Sequence, residues 1–297
     1  MASIAVALLA WQATGAAPDP ARGSAKDAKS EPTSTITIEA RRERKLLERQ
    51  LDAFVWSIIV HPWDQSLARW HTPVCPLVAG LPRASGEFIL SRISQIAASA
   101  HVPLGPEHCR ANLYVVVTRE PELLLKKWRA RDPHLLNGHN GEGGIRRFLD
   151  TPRPVRVWYN VAPSSNDGVP FSPDNALLAG TSDIPTNPIT EASRLVWYAG
   201  QSLASVIVMV DSNRLQQLRM GRLADYIAMV GLAEIRLDSD LGLTPTILRL
   251  FDKGGDGVPD SISDWDQAFL RSLYGTKQKN MMQVSEIETS MLKILAP

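Results

Sequence analysis

The stretch Ser205–Leu250 constrains the fold more than any other part of the chain. Ser205–Asp211 reads as a strand, broken at Ser212-Asn213. A helix follows to about Ile235, because Leu215, Leu218, Leu223, Tyr226, Ile227, Val230 and Glu234 recur mostly at three- and four-residue steps after an Asp211-Ser212-Asn213 capping region. One face of that helix is expected to be buried. Beyond it lie a polar turn with Asp238, Asp240 and Gly242, a short apolar segment at Thr244–Leu250, and a Gly-rich acidic loop. In ISDWDQAFLRSLYG, Ser263 or Asp264 caps a further helix with Phe269, Leu270 and Leu273 turned inward.

This order resembles the C-terminal half of the metzincin zinc peptidases: an active-site helix ending in Gly-Leu, a turn beneath the metal, then a helix carrying Asp, Leu and a Leu-Tyr-Gly ending. Laying Gly231-Leu232 on the family's Gly-Leu puts its three zinc-binding histidines at Ala224, Ala228 and Glu234, its general-base glutamate at Asp225, and its turn methionine near Ile247 or Leu248. None of those positions carries the family's residue. A catalytic zinc needs about three protein ligands, and alanine has no lone pair to offer. All six histidines and both cysteines precede position 140, so the C-terminal half supplies only Asp and Glu. The resemblance therefore implies a zincin-like α+β scaffold without zinc or another cofactor, with a small mixed sheet against a long former active-site helix and C-terminal helices. The alternative is an ordinary amphipathic core helix with a coincidental Gly-Leu.

With 297 residues and 44% hydrophobic content, the chain can bury one large core or two modest ones. A net charge of +1 leaves no electrostatic footprint for nucleic acid. Residues 1–17 are expected to be a signal peptide, with an apolar run at Ile4–Trp11 and small residues Gly15, Ala16 and Ala17 before Pro18. No later segment reaches the roughly 18 to 20 apolar residues of a transmembrane helix. Residues 18–35 are predicted to be a disordered leader, and 36–297 one domain. Ile36–Glu39 alternates like a short strand; Arg41–Val60 follows as a helix with Leu47, Leu51, Phe54, Val55 and Ile58 inward. Its basic cluster Arg41, Arg42, Arg44 and Lys45 is interleaved with Glu39, Glu43 and Glu48, the pattern of a solvated face.

Two cysteines in an exported chain point to one disulfide, Cys75–Cys109, stabilising by about 3 to 4 kcal/mol in the chain-entropy model. Adding His71 and His108 would make a Cys2His2 zinc site, but the spacings match no common finger. A helix over Ser85–Ala100, a buried strand at Leu113–Val117 and a helix over Glu120–Ala130 come next. The following Gly-rich loop holds His134, His139 and Glu142 without the strand-before, helix-after setting of a phosphate loop.

Arg153–Ala162 reads as a strand with Val155, Val157 and Tyr159 on one face and Trp158 on the other. Residues 164–190 form a long aperiodic loop, expected to overhang the cleft floored by the Asn213–Ile235 helix, with Arg194–Tyr198 pairing Ser205–Asp211 as a hairpin. Asp252, Asp256, Gly257 and Asp260, within the acidic loop 252–264, stand at spacings reminiscent of calcium loops, but the third position is Gly254 and the bidentate glutamate is missing. A last amphipathic helix spans Asn280–Ala296.

Stretches such as WHTPVCPLVAGL and LADYIAMVGLAEI resemble a family of uncharacterised envelope proteins of Gram-negative bacteria, over most of residues 36 to 276. That resemblance implies a periplasmic or secreted location. The functional expectation is a non-catalytic protein that binds a peptide or an envelope component through Arg222, Asp225 and Met229 on the former metal face. A hydrolase using Asp225 with Asp238 or Asp240 is the alternative, and a structural module without a site is the third reading. No Gly-x-Ser-x-Gly elbow or Ser-x-x-Lys signature supports a serine nucleophile.

Overall fold

The structure is a computed structural model that describes residues 31–60, 66–133, 135–136, 141–165, 199–215, 218–252, 257–277 and 281–296. The chain divides into two units, Met1–Arg42 and Glu43–Pro297. The described part of the first is the start of helix α1, Glu31–Ile58. That helix replaces the expected strand at Ile36–Glu39, and it begins inside the expected leader. A four-residue alternation has no described strand to pair with, whereas helix propagation gains one hydrogen bond per residue fixed.

The larger unit holds a four-stranded mixed sheet: β1 Pro76–Ala79, β2 Leu113–Thr118, β3 Val155–Ser165 and β4 Ala199–Asp211, in the order β1-β2-β4-β3. β1, β2 and β4 run parallel, and β3 lies antiparallel at the edge. Helix α2, Arg83–Ser99, makes the crossover from β1 to β2. α3 (Pro121–Arg131) and α4 (Gly141–Asp150) precede β3, and α5 (Met220–Leu232), α6 (Asp264–Gly275) and α7 (Met281–Leu295) follow β4. Seven helices are thus described, none of them long and apolar enough to cross a membrane.

Both faces of the sheet are covered, which explains why β4 reads as an unbroken apolar run. Val206, Val208 and Val210 join Leu113, Val115 and Val117 in a large core with the buried faces of α1, α2, α5, α6 and α7. Ile207 and Met209 turn to the other side with Val116 and Trp158, and α3 and α4 cover them with Leu125, Ile145, Phe148 and Leu149. The inward face of α1 is as its spacing predicts, with Leu51, Phe54, Val55 and Ile58 buried, and its residues 38–46 are exposed.

Three further expectations are corrected. Ser205–Asp211 pairs with β2 on one side and β3 on the other, not in the expected hairpin; Arg194–Tyr198 lies outside the described residues, as do residues 166–190 of the expected loop, whose Ser164 and Ser165 end β3. The helix expected from Asn213 starts only at Met220; Ser212–Arg214 is a 3-10 turn capped by Asp211, the Asn213 N–H donating to its carboxylate at 3.0 Å. The segment expected to be a Gly-rich loop is helical from Gly141, because Ile145, Phe148 and Leu149 dock on the sheet and outweigh the poor propensity of three glycines.

Candidate functional site

Helix α5 is buried from Leu223 to Leu232 on every side. Gly231 lets it approach β2; a Cβ there would lie 3.1 Å from Leu113 Cδ1 and Cδ2. The end of a buried helix leaves carbonyls that need partners. Three aromatic side chains from distant segments supply them. Tyr159 Oη donates to Val230 O (2.9 Å), Trp70 Nε1 to Gly231 O (2.9 Å) and Tyr274 Oη to Leu232 O (2.5 Å). The two phenols also accept, Tyr159 from the Ile235 N–H and Tyr274 from the Trp70 N–H. Burial pushes both hydroxyls above their ordinary pKa, which keeps them neutral and able to donate.

The positions singled out on α5 are sealed. Ala224, Ala228 and Met229 have no accessible surface, and Asp225 is 1% exposed. Asp225 receives Nε and Nη2 of Arg92 from α2 and the N–H of Ile262 at 2.7 Å, so its carboxylate is fully used inside the protein. The hydrogen bond to Asp225 holds the Arg92 guanidinium above its ordinary pKa. Arg222 is tied to Asp260. The expectation that Arg222, Asp225 and Met229 face a ligand is therefore corrected for the two buried residues, and the third is engaged in an ion pair.

The acidic pairing expected for a hydrolase does not form either. Asp238 is exposed and paired with Arg153, and exposed Asp240 accepts the Gly242 N–H at 2.9 Å in a separate turn. Neither shares a cavity with Asp225. Cys75 and Cys109 lie at disulfide distance, Cα atoms 5.9 Å apart, which removes the Cys2His2 alternative. His71 Nε2 accepts from Arg69 Nε. His134 and His139 lie outside the described residues, as does Asp256; Asp252 is paired with Arg249 and Asp260 with Arg222. Among the described residues no three His, Cys, Asp or Glu side chains come together in a metal-holding group.

The open site lies at the far end of α5. A cleft of about 750 Å3 runs between the first half of β3, the segment Glu234–Asp238, α4 and the end of α1. Trp56, Phe148, Trp158 and Tyr159 give it aromatic walls, and Arg147, Arg153, Arg156 and Arg236 line it with positive charge. β3 contributes backbone as well. The Asp211 N–H donates to Pro154 O at 2.9 Å, which fixes the antiparallel alternation. Arg156 and Trp158 thus bond to β4, and the N–H groups of Val155, Val157 and Tyr159 point away from it.

Arg156 is the most constrained of the four arginines. It is 3% exposed, with one guanidinium nitrogen on Glu122 and another donating to Leu149 O (3.2 Å). Its Nε has no hydrogen-bond partner. The guanidinium in turn holds the Glu122 carboxyl below its usual pKa. No motif in the sequence marks this cleft; the sole signal was Arg156 at an inward-alternating strand position between Val155 and Val157. No family model, curated protein or solved structure matches the chain.

Proposed function

We propose that this is an exported, non-catalytic, zincin-like protein that binds an extended peptide or an envelope protein segment along the edge of β3. Four features support the zincin-like reading: the parallel strands, the antiparallel edge strand, the helix ending in Gly231-Leu232 and the Ser263-capped helix ending in Leu273-Tyr274-Gly275. The cysteine pair at disulfide distance fits an oxidising, extracytoplasmic compartment, with the periplasm as the proposed location. The observation that carries the binding reading is the cleft itself, lined by Val157 and Tyr159 of β3, whose outer edge pairs with no strand among the described residues. An incoming strand there gains main-chain hydrogen bonds from Val157 and Tyr159, and side-chain pockets supply selectivity.

Amide hydrogen exchange tests this directly. A soluble peptide of alternating Asn and Thr is expected to slow exchange at Val157 and Tyr159 and to leave the β2 amides unchanged. Binding without protection of the β3 amides would remove the strand-addition reading.

A further inference from the structure

We infer that the cleft selects peptides bearing carboxylates, with Arg147, Arg156 and Arg236 as the selecting groups; this rests on the strand-addition reading and names its ligand class. Four arginines line the cleft against two carboxylates, Glu234 and Asp238, although the chain as a whole carries only +1. The lining of the cleft thus carries two more positive than negative side chains.

The four arginines are not equivalent. Arg153 already holds Asp238. Arg147 and Arg236 are exposed and form no ion pair among the described residues. Arg156 is buried with an unpartnered Nε, and leaving such a donor empty costs about 1 to 3 kcal/mol. A carboxylate entering beside β3 meets two exposed guanidinium groups and one held by α4 and Glu122. Bidentate arginine–carboxylate geometry suits that arrangement. The aromatic walls give the neighbouring apolar atoms of the peptide a surface to cover. Because a strand alternates its side chains, every second residue of the peptide would face the α4 side, where Arg147 and Arg156 stand.

The test is calorimetry of three peptides, alternating Asp-Thr, Asn-Thr and Lys-Thr, against the full chain. The Asp-Thr peptide is expected to bind about tenfold more tightly than Asn-Thr, a margin of about 1.4 kcal/mol that shrinks as salt is raised. The Lys-Thr peptide is expected to bind most weakly. The double variant Arg147→Gln/Arg236→Gln, altered only at exposed side chains, is expected to lose most of the margin, keeping the share due to Arg156, and to keep the Asn-Thr affinity. Equal affinities for Asp-Thr and Asn-Thr, or an undiminished margin in the double variant, would overturn the inference while retained Asn-Thr binding keeps strand addition. A Val157→Pro variant that binds all three peptides as the parent does would instead overturn strand addition and leave the charge preference standing. Inorganic phosphate competing as strongly as the Asp-Thr peptide would reassign the site to free anions, and no saturable heat from any peptide would overturn both readings.

Discussion

Arg92–Asp225 and Arg156–Glu122 are both arginine–carboxylate pairs with one partner buried and the other partly exposed, yet they are built in opposite senses. In the first the carboxylate is buried and the arginine side chain is 29% exposed. Both carboxylate oxygens are taken, with a backbone amide as third donor. In the second the arginine side chain is 2% exposed, the glutamate side chain 44%, and a guanidinium nitrogen is left over. A buried charge whose bonds are all made inside the chain holds the fold; the one at Arg156 lines the cleft with a buried donor left unmatched. The catalytic-looking Asp225 belongs to the first kind and Arg156 to the second.

Removing the matched carboxylate is the strongest way to test this contrast. Asp225→Ala strands Arg92 and the Ile262 amide, and is expected to lower stability by about 3 kcal/mol in urea unfolding without altering cleft binding. A variant as stable as the parent would show that the pair is dispensable. Tyr159→Phe comes next, since it removes a buried hydroxyl that donates to Val230 O and accepts from Ile235; a loss of about 2 kcal/mol is expected in the same assay.

A smaller effect is expected behind the cleft wall. Burial and the neighbouring Asp52 carboxylate push Glu288 up to about 7 from an ordinary 4.5. Between those values the folded chain holds a proton that the unfolded chain releases, so this group's contribution is complete below about 4.5 and is lost as pH rises through about 7. Glu288→Gln is expected to flatten that decline and to raise stability at pH above 7 by on the order of 1 kcal/mol, given the partial solvent screening of the site. Melting curves across the interval check the sign; a variant less stable than the parent above pH 7 would contradict it. Least of all, Arg147→Ala and Arg236→Ala are expected to shift stability by no more than about 0.5 kcal/mol, leaving any loss of acidic-peptide binding attributable to the cleft.

Patterns that act through neighbouring residues were legible in the sequence. The inward face of α1, the strands β2 and β4, the Ser263 cap and the cysteine pair each follow from local spacing or from the only available partner. Ser263 caps because its N–H donates to the carboxylate of Asp266, three residues on, whose own N–H donates to the serine hydroxyl, and that reciprocal pair leaves Asp264 at the first helical position. The cleft is different. Trp56, Arg147, Arg156 and Arg236 come from four segments that only the folded sheet brings together. α4 was hidden for a related reason, since its glycines speak against a helix until the sheet offers Phe148 and Leu149 a surface. The resemblance of α5 to an active-site helix directed attention to residues that the core encloses.

The aromatic caps on α5 have a consequence for motion. Tyr159, Trp70 and Tyr274 arrive from β3, from the chain before β1 and from α6, so the last turn of α5 cannot fray unless three separate regions release together. The Ile235 amide, held by one of those caps, is therefore expected to exchange with solvent only in openings close in free energy to complete unfolding. It opens the segment that floors the cleft, so that floor is set before any ligand arrives. Little of an incoming strand's binding energy is then diverted to ordering it.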